Sequence, residues 1–233
     1  MSLNLIDGTD GNDVLRGGNE DDLILGHGGS DLLVGKGGND VLAGDGIEDT
    51  DSDGVIVGSE RLRDDNPAAI WGGTGDDWIA GTEGDDTLGG GSGADVIRDH
   101  GGDDLVFGGA GDDTIIVVSG DNVVFGGVGN DTIEIFEGEN DVYSGAGDDL
   151  IGSGFDADTF HFATGHGNDT IEWFDELDTL YLVNTTTDFQ SVDDVIAHAT
   201  NVTDGVLIDT GGGDSILLQD LSVDDLASFS YVF

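Results

Sequence analysis

Gly72 to His161 reads GGTGDDWIA, GTEGDDTLG, GGSGADVIR, DHGGDDLVF, GGAGDDTII, VVSGDNVVF, GGVGNDTIE, IFEGENDVY, SGAGDDLIG and SGFDADTFH, ten consecutive nonapeptides with no slip of frame. An internal period of this kind decides the architecture before any local propensity does. Working outward, four more units fill Gly8 to Ala43 (GTDGNDVLR, GGNEDDLIL, GHGGSDLLV, GKGGNDVLA), and one starts at Thr164 (TGHGNDTIE).

The fifteen units share three constraints. Position eight is always apolar, from Leu15, Ile24, Leu33 and Leu42 through Ile79, Ile115 and Ile133 to Phe160 and Ile171. Position four is Gly except at Glu20 and Asp156. Position six is acidic in thirteen units: Asp13, Asp22, Asp31, Asp40, Asp77, Asp86, Asp95, Asp104, Asp113, Asp131, Asp149, Asp158 and Asp169. Asn122 and Asn140 fill it in the other two.

Each choice has a physical cause. Glycines at the first, second and fourth positions let the backbone turn with positive φ. The last three residues alternate polar, apolar, polar, which suits a very short strand with one side chain inward. One such strand buries too little to persist, whereas stacked copies bury a continuous core. Two units make one coil with a turn on each side, so the position-six carboxylates form two columns with steps of roughly 5 Å. Two unit charges at that distance repel by roughly 3 kcal/mol at an effective dielectric of about 20. A divalent cation between turns cancels that repulsion, and an all-oxygen ligand set in flexible loops selects Ca²⁺.

The units resemble the GGxGxDxUx nonapeptide of RTX (repeat-in-toxin, haemolysin-type) calcium-binding proteins. The resemblance implies an all-β fold, a right-handed parallel β-roll, with the position-six aspartates as ligands of several Ca²⁺ ions. It also implies type I secretion by a C-terminal signal, and so an extracellular, secreted location.

Composition agrees. Five Lys and Arg stand against 51 Asp and Glu, a net charge of −46. Self-repulsion of that size opposes a compact state until counterions bind. Nucleic acid and anionic membranes are poor partners for such a chain. There is no cysteine, which excludes a disulfide scaffold and thiolate metal sites and is compatible with an extracellular fold stapled by metal. MSLNLIDGTD offers no basic n-region or apolar h-region, and no run reaches transmembrane length, so export is expected to use another address.

The chain divides into residues 1–43, a lead-in strand (Leu3, Leu5) with the first repeat block; 44–71, an acidic insertion; 72–172, the second block; and 173–233, a C-terminal cap and secretion signal. Within the insertion, DTDSDGVIVGSE (Asp49 to Glu60) fits the EF-hand loop pattern. Asp49, Asp51 and Asp53 would offer oxygens, Gly54 the sharp turn, Val55 a carbonyl and Glu60 a bidentate carboxylate. Neither flank reads as a long helix, so this is not a helix–loop–helix hand. The other reading is a solvated acidic loop.

The columns of the second block differ. One runs Asp77, Asp95, Asp113, Asp131, Asp149; the other Asp86, Asp104, Asn122, Asn140, Asp158. The two Asn units open with Val117-Val118 and Ile135-Phe136 in place of glycines. Their strands should run on through the turn, their amides should bond to one another without an ion, and Val117, Ile135 and Phe136 should form a hydrophobic patch. Fewer calcium sites are expected on this side.

Beyond the repeats, Trp173, Phe174, Leu180 and Leu182 are expected to close the interior. Ser191 to Ala199 predicts a helix capped by Ser191. VLIDT and SILLQ, joined by Gly211 to Gly213, predict a hairpin. SVDDLA and FSYVF predict a helical turn and a last strand. The acidic-then-apolar C-terminus resembles type I secretion signals; a plain folding cap explains it equally.

No enzyme is expected. The histidines (His27, His100, His161, His166, His198) form no HExxH pair, and GxSxG and GxxxxGK are absent. His27 and His100 fall at turns and read as solvent-exposed; His161 and His166 flank a frame slip where they could approach each other. The functional expectation is a secreted calcium-binding protein that folds on meeting Ca²⁺ after passage through a type I secretion apparatus. The alternative is an adhesin-like module that binds glycan or a cell surface and uses the roll as a rod, with an enzyme on roll carboxylates as the third reading.

Overall fold

The computed structural model describes residues 3–44 and 65–233. The Asp49–Glu60 loop, with Asp49, Asp51, Asp53 and Glu60, lies outside the described residues.

Each nonapeptide contributes one strand, and successive strands alternate between two sheets of twelve and ten strands, called here sheet one and sheet two. The result is an all-β parallel solenoid of about nine turns, as expected for an RTX β-roll. Each residue pairs in parallel with the one two units later, as in Ile115 with Ile133 and Val124 with Val142. The position-eight side chains point between the sheets. Ile24, Leu42, Ile79, Ile97 and Ile133 come from sheet one and Leu33, Leu88, Val106, Val124 and Phe160 from sheet two, each 0% exposed.

The roll contains two units that the motif does not reveal. The strand Ala69–Thr74 pairs Ile70 with Leu33, so NPAAIW already lies in the coil, with Ala68 at position six. WFDELDTLY, directly after Glu172, supplies the strand Thr179–Tyr181, pairs Leu180 with Phe160, and brings Asp178 to position six. The solenoid therefore begins before Gly72 and continues past Glu172.

Strand lengths and glycines depart from expectation. Most sheet-one strands in the repeats, such as Val96–Arg98, have three or four residues, whereas the sheet-two strands from Leu32–Gly37 to Asp141–Ala146 have six and run on past position nine. Val117 and Ile135 extend their own strands by one residue, but the strands stop there and do not run on through the turn as expected. Positive φ occurs at positions two and four but at none of the position-one glycines. Gly109 at position two has φ +121°, and a Cβ there would stand 2.2 Å from the Gly91 carbonyl. The position-one glycine has another purpose, which belongs to the site.

Position nine of sheet two faces outward and carries a row of rings. Trp71, Phe107, Phe125, Tyr143, His161 and Tyr181 follow one another with centroid separations of 6.2, 5.2, 4.8, 4.0 and 4.6 Å. Trp71 reaches across Gly89, where a Cβ would lie 2.4 Å from its ring. Each contact contributes about 0.5–1.5 kcal/mol beyond its buried area.

The cap continues both sheets. Gly205–Gly211 and Asp214–Gln219 form the expected hairpin, and its second strand pairs in parallel with Asn168–Glu172 of sheet one. Ala199–Val202 adds a further antiparallel strand. The helix spans Val192–Ala197, with the Ser191 hydroxyl accepting the Asp194 N–H. SVDDLA leads into a 3₁₀ turn, Leu226–Ser228, and Ser230–Val232 pairs with Thr179–Tyr181 to end sheet two. Phe189, Val195, Ile208 and Leu226 extend the core beneath the cap. At the other end Asn4–Asp7 is the edge strand of sheet one; Ile6 packs inward while Leu3 and Leu5 are exposed.

Two expectations are overturned. Phe174, Leu180 and Leu182 do close the interior, but Trp173 is 69% exposed. Its φ of +63° turns the chain so that the indole lies outside, over Gly152. Val117 and Ile135 are buried in the core rather than part of a surface patch, and only Phe136 of that trio is exposed. The exposed apolar group is instead Phe136, Phe155 and Trp173, around a cleft of about 380 Å³.

Ile133→Ala at the core should lower stability by about 2–5 kcal/mol, while Leu177→Ala on the surface should change it by less than about 0.5 kcal/mol. Urea unfolding of both variants at saturating Ca²⁺ checks this.

Candidate metal centre

The position-six aspartates form two ladders. The first, ahead of the sheet-one strands, is Asp22, Asp40, Asp77, Asp95, Asp113, Asp131, Asp149 and Asp169, all 2% exposed or less. From Asp40 onward each Oδ1 accepts the backbone N–H of the aspartate one coil earlier: Asp95 from Asp77 at 2.8 Å, Asp113 from Asp95 at 2.8 Å, Asp131 from Asp113 at 2.9 Å. The Oδ2 atoms of Asp40, Asp77, Asp95, Asp113, Asp131 and Asp149 are buried and have no hydrogen-bond partner. A buried carboxylate oxygen without a donor is costly unless a cation meets it.

The position-one glycine makes room for that cation. A Cβ built on Gly72 would lie 2.3 Å from Asp77 Oδ2, and one on Gly90 2.3 Å from Asp95 Oδ2. Any side chain there would fill the space these oxygens face. An oxygen with no donor, beside space only glycine leaves open, fits a hard divalent cation whose remaining ligands are turn carbonyls. Among the described residues no three acidic or histidine side chains converge on a point. The carboxylates are strung one per turn along the axis, which makes main-chain oxygens necessary to complete any coordination shell.

Burial dominates the electrostatics. It raises Asp77 and Asp113 to about 7 and Asp149 to about 6, with backbone hydrogen bonds offsetting part of the effect and neighbouring ladder charges adding to it. Asp40, Asp95 and Asp131 are raised for the same first reason.

The ends of this ladder are satisfied without an ion. Asp22 Oδ2 accepts the Gly18 N–H at 2.6 Å, and Asn4 Nδ2 donates to Asp22 Oδ1 at 2.8 Å. At the cap, His166 Nδ1 lies 2.6 Å from Asp169 Oδ2, and its Nε2 lies 2.8 Å from Thr210 Oγ1.

The second ladder, ahead of the sheet-two strands, is Asp13, Asp31, Ala68, Asp86, Asp104, Asn122, Asn140, Asp158 and Asp178. Most of its members carry their own donors. Asp13 Oδ2 takes the Thr9 N–H, Asp86 Oδ2 the Thr82 N–H, Asp158 Oδ2 the Gly154 N–H and Asp178 Oδ2 the Asp175 N–H. Asn122 Nδ2 donates to the Gly120 carbonyl at 2.9 Å and to Asn140 Oδ1 at 3.0 Å. Asn140 Nδ2 donates to the Gly138 carbonyl and to Asp158 Oδ1, each at 2.9 Å. The amide hydrogens thus stand where a cation would, and the two asparagines bond to each other as their stacking in sequence suggested.

The ladders unite the thirteen repeat aspartates found by motif. Asp178 escaped notice because its unit lacks glycines, although WFDELDTLY keeps the acidic sixth and apolar eighth positions. Position five also forms a ladder, exposed and reversed in direction: Asp76 Oδ1 accepts the Ala94 N–H, and Asp103 Oδ1 accepts the Asp121 N–H. His161 and His166 do not share a site, since His161 sits between Tyr143 and Tyr181 with Asp141 at 2.8 Å. His27 and His100 are only half-buried, and His27 pairs with Asp7 at 2.7 Å.

Among the described residues no helix is long and apolar enough to cross a membrane. A comparison with curated proteins finds no match. Among solved structures the chain is similar to the extracellular lipase LipA from Serratia marcescens, at 18% identity and a TM-score of 0.49, over all of this chain and 40% of that one. The chain thus spans less than half the lipase's length. The profile of the RTX calcium-binding nonapeptide repeat matches residues 7–42 and, in overlapping stretches, 69–97, 80–115, 99–133 and 117–151. With that match over half of its length and the two-column roll it forms, the chain belongs to the RTX calcium-binding nonapeptide repeat family.

Proposed function

We propose that this chain is a calcium-responsive secreted module, in which ions bound along the first ladder turn an expanded polyanion into a folded roll. The repeats are calcium-binding ones. The observation that carries the reading is the run of five buried Oδ2 atoms without a donor and beside a position-one glycine, at Asp40, Asp77, Asp95, Asp113 and Asp131. Each would accept a shared Ca²⁺ together with turn carbonyls. The ion supplies the two positive charges that a carboxylate in each of two adjacent coils calls for. The second ladder, with amides and main-chain donors at most of its steps, takes fewer ions.

Because binding and folding are the same event in such a system, calcium concentration sets the folded fraction. In a calcium-poor cytosol the chain stays expanded, which suits passage through a type I secretion channel addressed by the C-terminal segment. Millimolar calcium outside condenses it.

A second reading has its own support. Phe155 is 80% exposed, Trp173 69% and Phe136 47%, and their rings flank one cleft. Free aromatic faces of this kind suit a surface module that stacks on neutral sugar rings, with the roll as its scaffold. Binding on a glycan array that Trp173→Ala abolishes would favour this reading; a blank array would reject it.

Calcium titration followed by far-ultraviolet circular dichroism should show a cooperative gain of β-structure, and a flat signal from chelator to millimolar calcium would reject the main reading. Asp77→Asn, Asp95→Asn and Asp113→Asn combined should move the midpoint at least roughly tenfold higher in calcium, because three ladder charges are lost.

Acid should act in opposite directions with and without the metal. Asp77 and Asp113 have folded values of about 7 against 3.8 unfolded, and burial raises Asp40, Asp95 and Asp131 in the same direction. A raised folded value means stability that is present below 3.8 and lost as pH rises through about 7. In chelator, acidifying from about pH 7.5 to about 5 should therefore increase β-structure, stopping short of the pI of about 4.1. In calcium, the same change should weaken binding, because protons compete for the same oxygens. Dichroism and a calcium electrode read the two limbs.

A further inference from the structure

We infer that Asp99 and Asp104 hold a divalent cation on the second ladder, at a place the nonapeptide does not encode. The inference builds on reading the roll as a calcium-dependent fold. Five consecutive turns of this ladder lack the position-one glycine; Ser153 and Trp173 open the last two, and the first three carry Asp99, Val117 and Ile135 there, all buried. In the Val117 and Ile135 turns position six is asparagine, and its amide donates to the turn carbonyl of Gly120 or Gly138 at 2.9 Å. Those hydrogens mark where a positive group belongs.

The Asp99 turn has no such donor. Its sixth residue is Asp104, an acceptor, and Asp99 adds a second acceptor. Asp99 is 1% exposed and Asp104 2%, and the Oδ2 atoms of both are buried without a hydrogen-bond partner. Their other oxygens are committed: Asp99 Oδ1 accepts the Val118 N–H at 2.8 Å, and Asp104 Oδ1 accepts the Asp86 N–H at 2.6 Å. One coil below, a Cβ built on Gly81 would lie 2.6 Å from the Asp99 carbonyl and 2.4 Å from Asp86 Oδ2. That main-chain oxygen and Asp86 thus border the gap beside Gly81, one coil below the Asp99 and Asp104 carboxylates. Arg98 is exposed and reaches neither unpartnered oxygen.

The ligand set is all oxygen and carries two carboxylates, with the His100 N–H directed at Asp99 beside them. It suits Ca²⁺ over imidazole- or thiolate-seeking metals. Burial raises Asp99 to about 7 and Asp104 to about 8 when no cation neutralises them. The site also explains the change of chemistry along the ladder: above it amides replace the ion, and at it a second aspartate recruits one.

The test uses the full chain with Ca²⁺ as the probe. Native mass spectrometry should count one fewer ion in Asp99→Asn and in Asp99→Val, the latter copying the neighbouring Val117 turn, than in the unsubstituted chain, with the calcium-induced dichroism retained. An unchanged count in both variants overturns the site, and a proton shared by the two carboxyls would give that result. Should the variants fail to fold, crystals of the unsubstituted chain in Tb³⁺ decide the matter. An anomalous peak within about 2.6 Å of both Asp99 Oδ2 and Asp104 Oδ2 is expected. Peaks beside Asp77, Asp95 and Asp113 with none at Asp99 overturn this site and leave the first ladder standing. Absence of every peak overturns the ladder reading and this site with it.

Discussion

One carboxylate oxygen per turn, buried and facing no donor, is the constraint around which the roll is arranged. Along the first ladder the Oδ1 atoms are fully used, each stapling its own coil to the one before, so the geometry that holds neighbouring turns together also fixes where Oδ2 must lie. Most units supply the interior with one large apolar side chain, from alternating sheets. A core that thin has to work against a net charge of −46. In the calcium-dependent fold proposed above, hydrophobic burial and cation binding are not separate contributions: the side chains at position eight would pack only in coils whose charges at position six have been met.

The two ladders show two solutions to the same electrostatic problem. On the first, glycine at position one opens space beside Oδ2, and a cation is the fitting partner. On the second, threonine, glycine and asparagine supply hydrogens, and Val117 and Ile135 fill the space with core. The ends of the first ladder also use hydrogens, from Asn4 and Gly18 at one end and from His166 beside Asp169 at the other. Where the repeat stops, a protein donor replaces the ion. Asp99 and Asp104 sit at the boundary between the two solutions and have neither.

The outer face carries aromatic rings in two different states. The row from Trp71 to Tyr181 is stacked ring on ring, so most of its faces are covered and its contribution is to sheet two itself. Phe136, Phe155 and Trp173 keep theirs open beside a cleft. A flat ligand needs a free face, which is why only the second group bears on recognition.

Period, strand parity and inward position eight were all legible in the sequence, because a nine-residue repeat forces chemically equivalent residues into equivalent places. The thirteen ladder aspartates, the helix after Ser191 and the hairpin around Gly211 to Gly213 followed from local pattern alone, as did the bonding between Asn122 and Asn140. What the chain order could not reveal depends on which side of the solenoid a unit falls and on its neighbours one coil away. Ala68 and Asp178 belong to the ladders through pairing with Leu33's and Phe160's strands, not through any motif of their own. Trp173 reads as core yet lies outside because its backbone takes positive φ. The role of the first glycine is likewise a matter of space and not of torsion. Only stacking reveals it, since the oxygen that needs the room is brought there by a bond to the neighbouring coil.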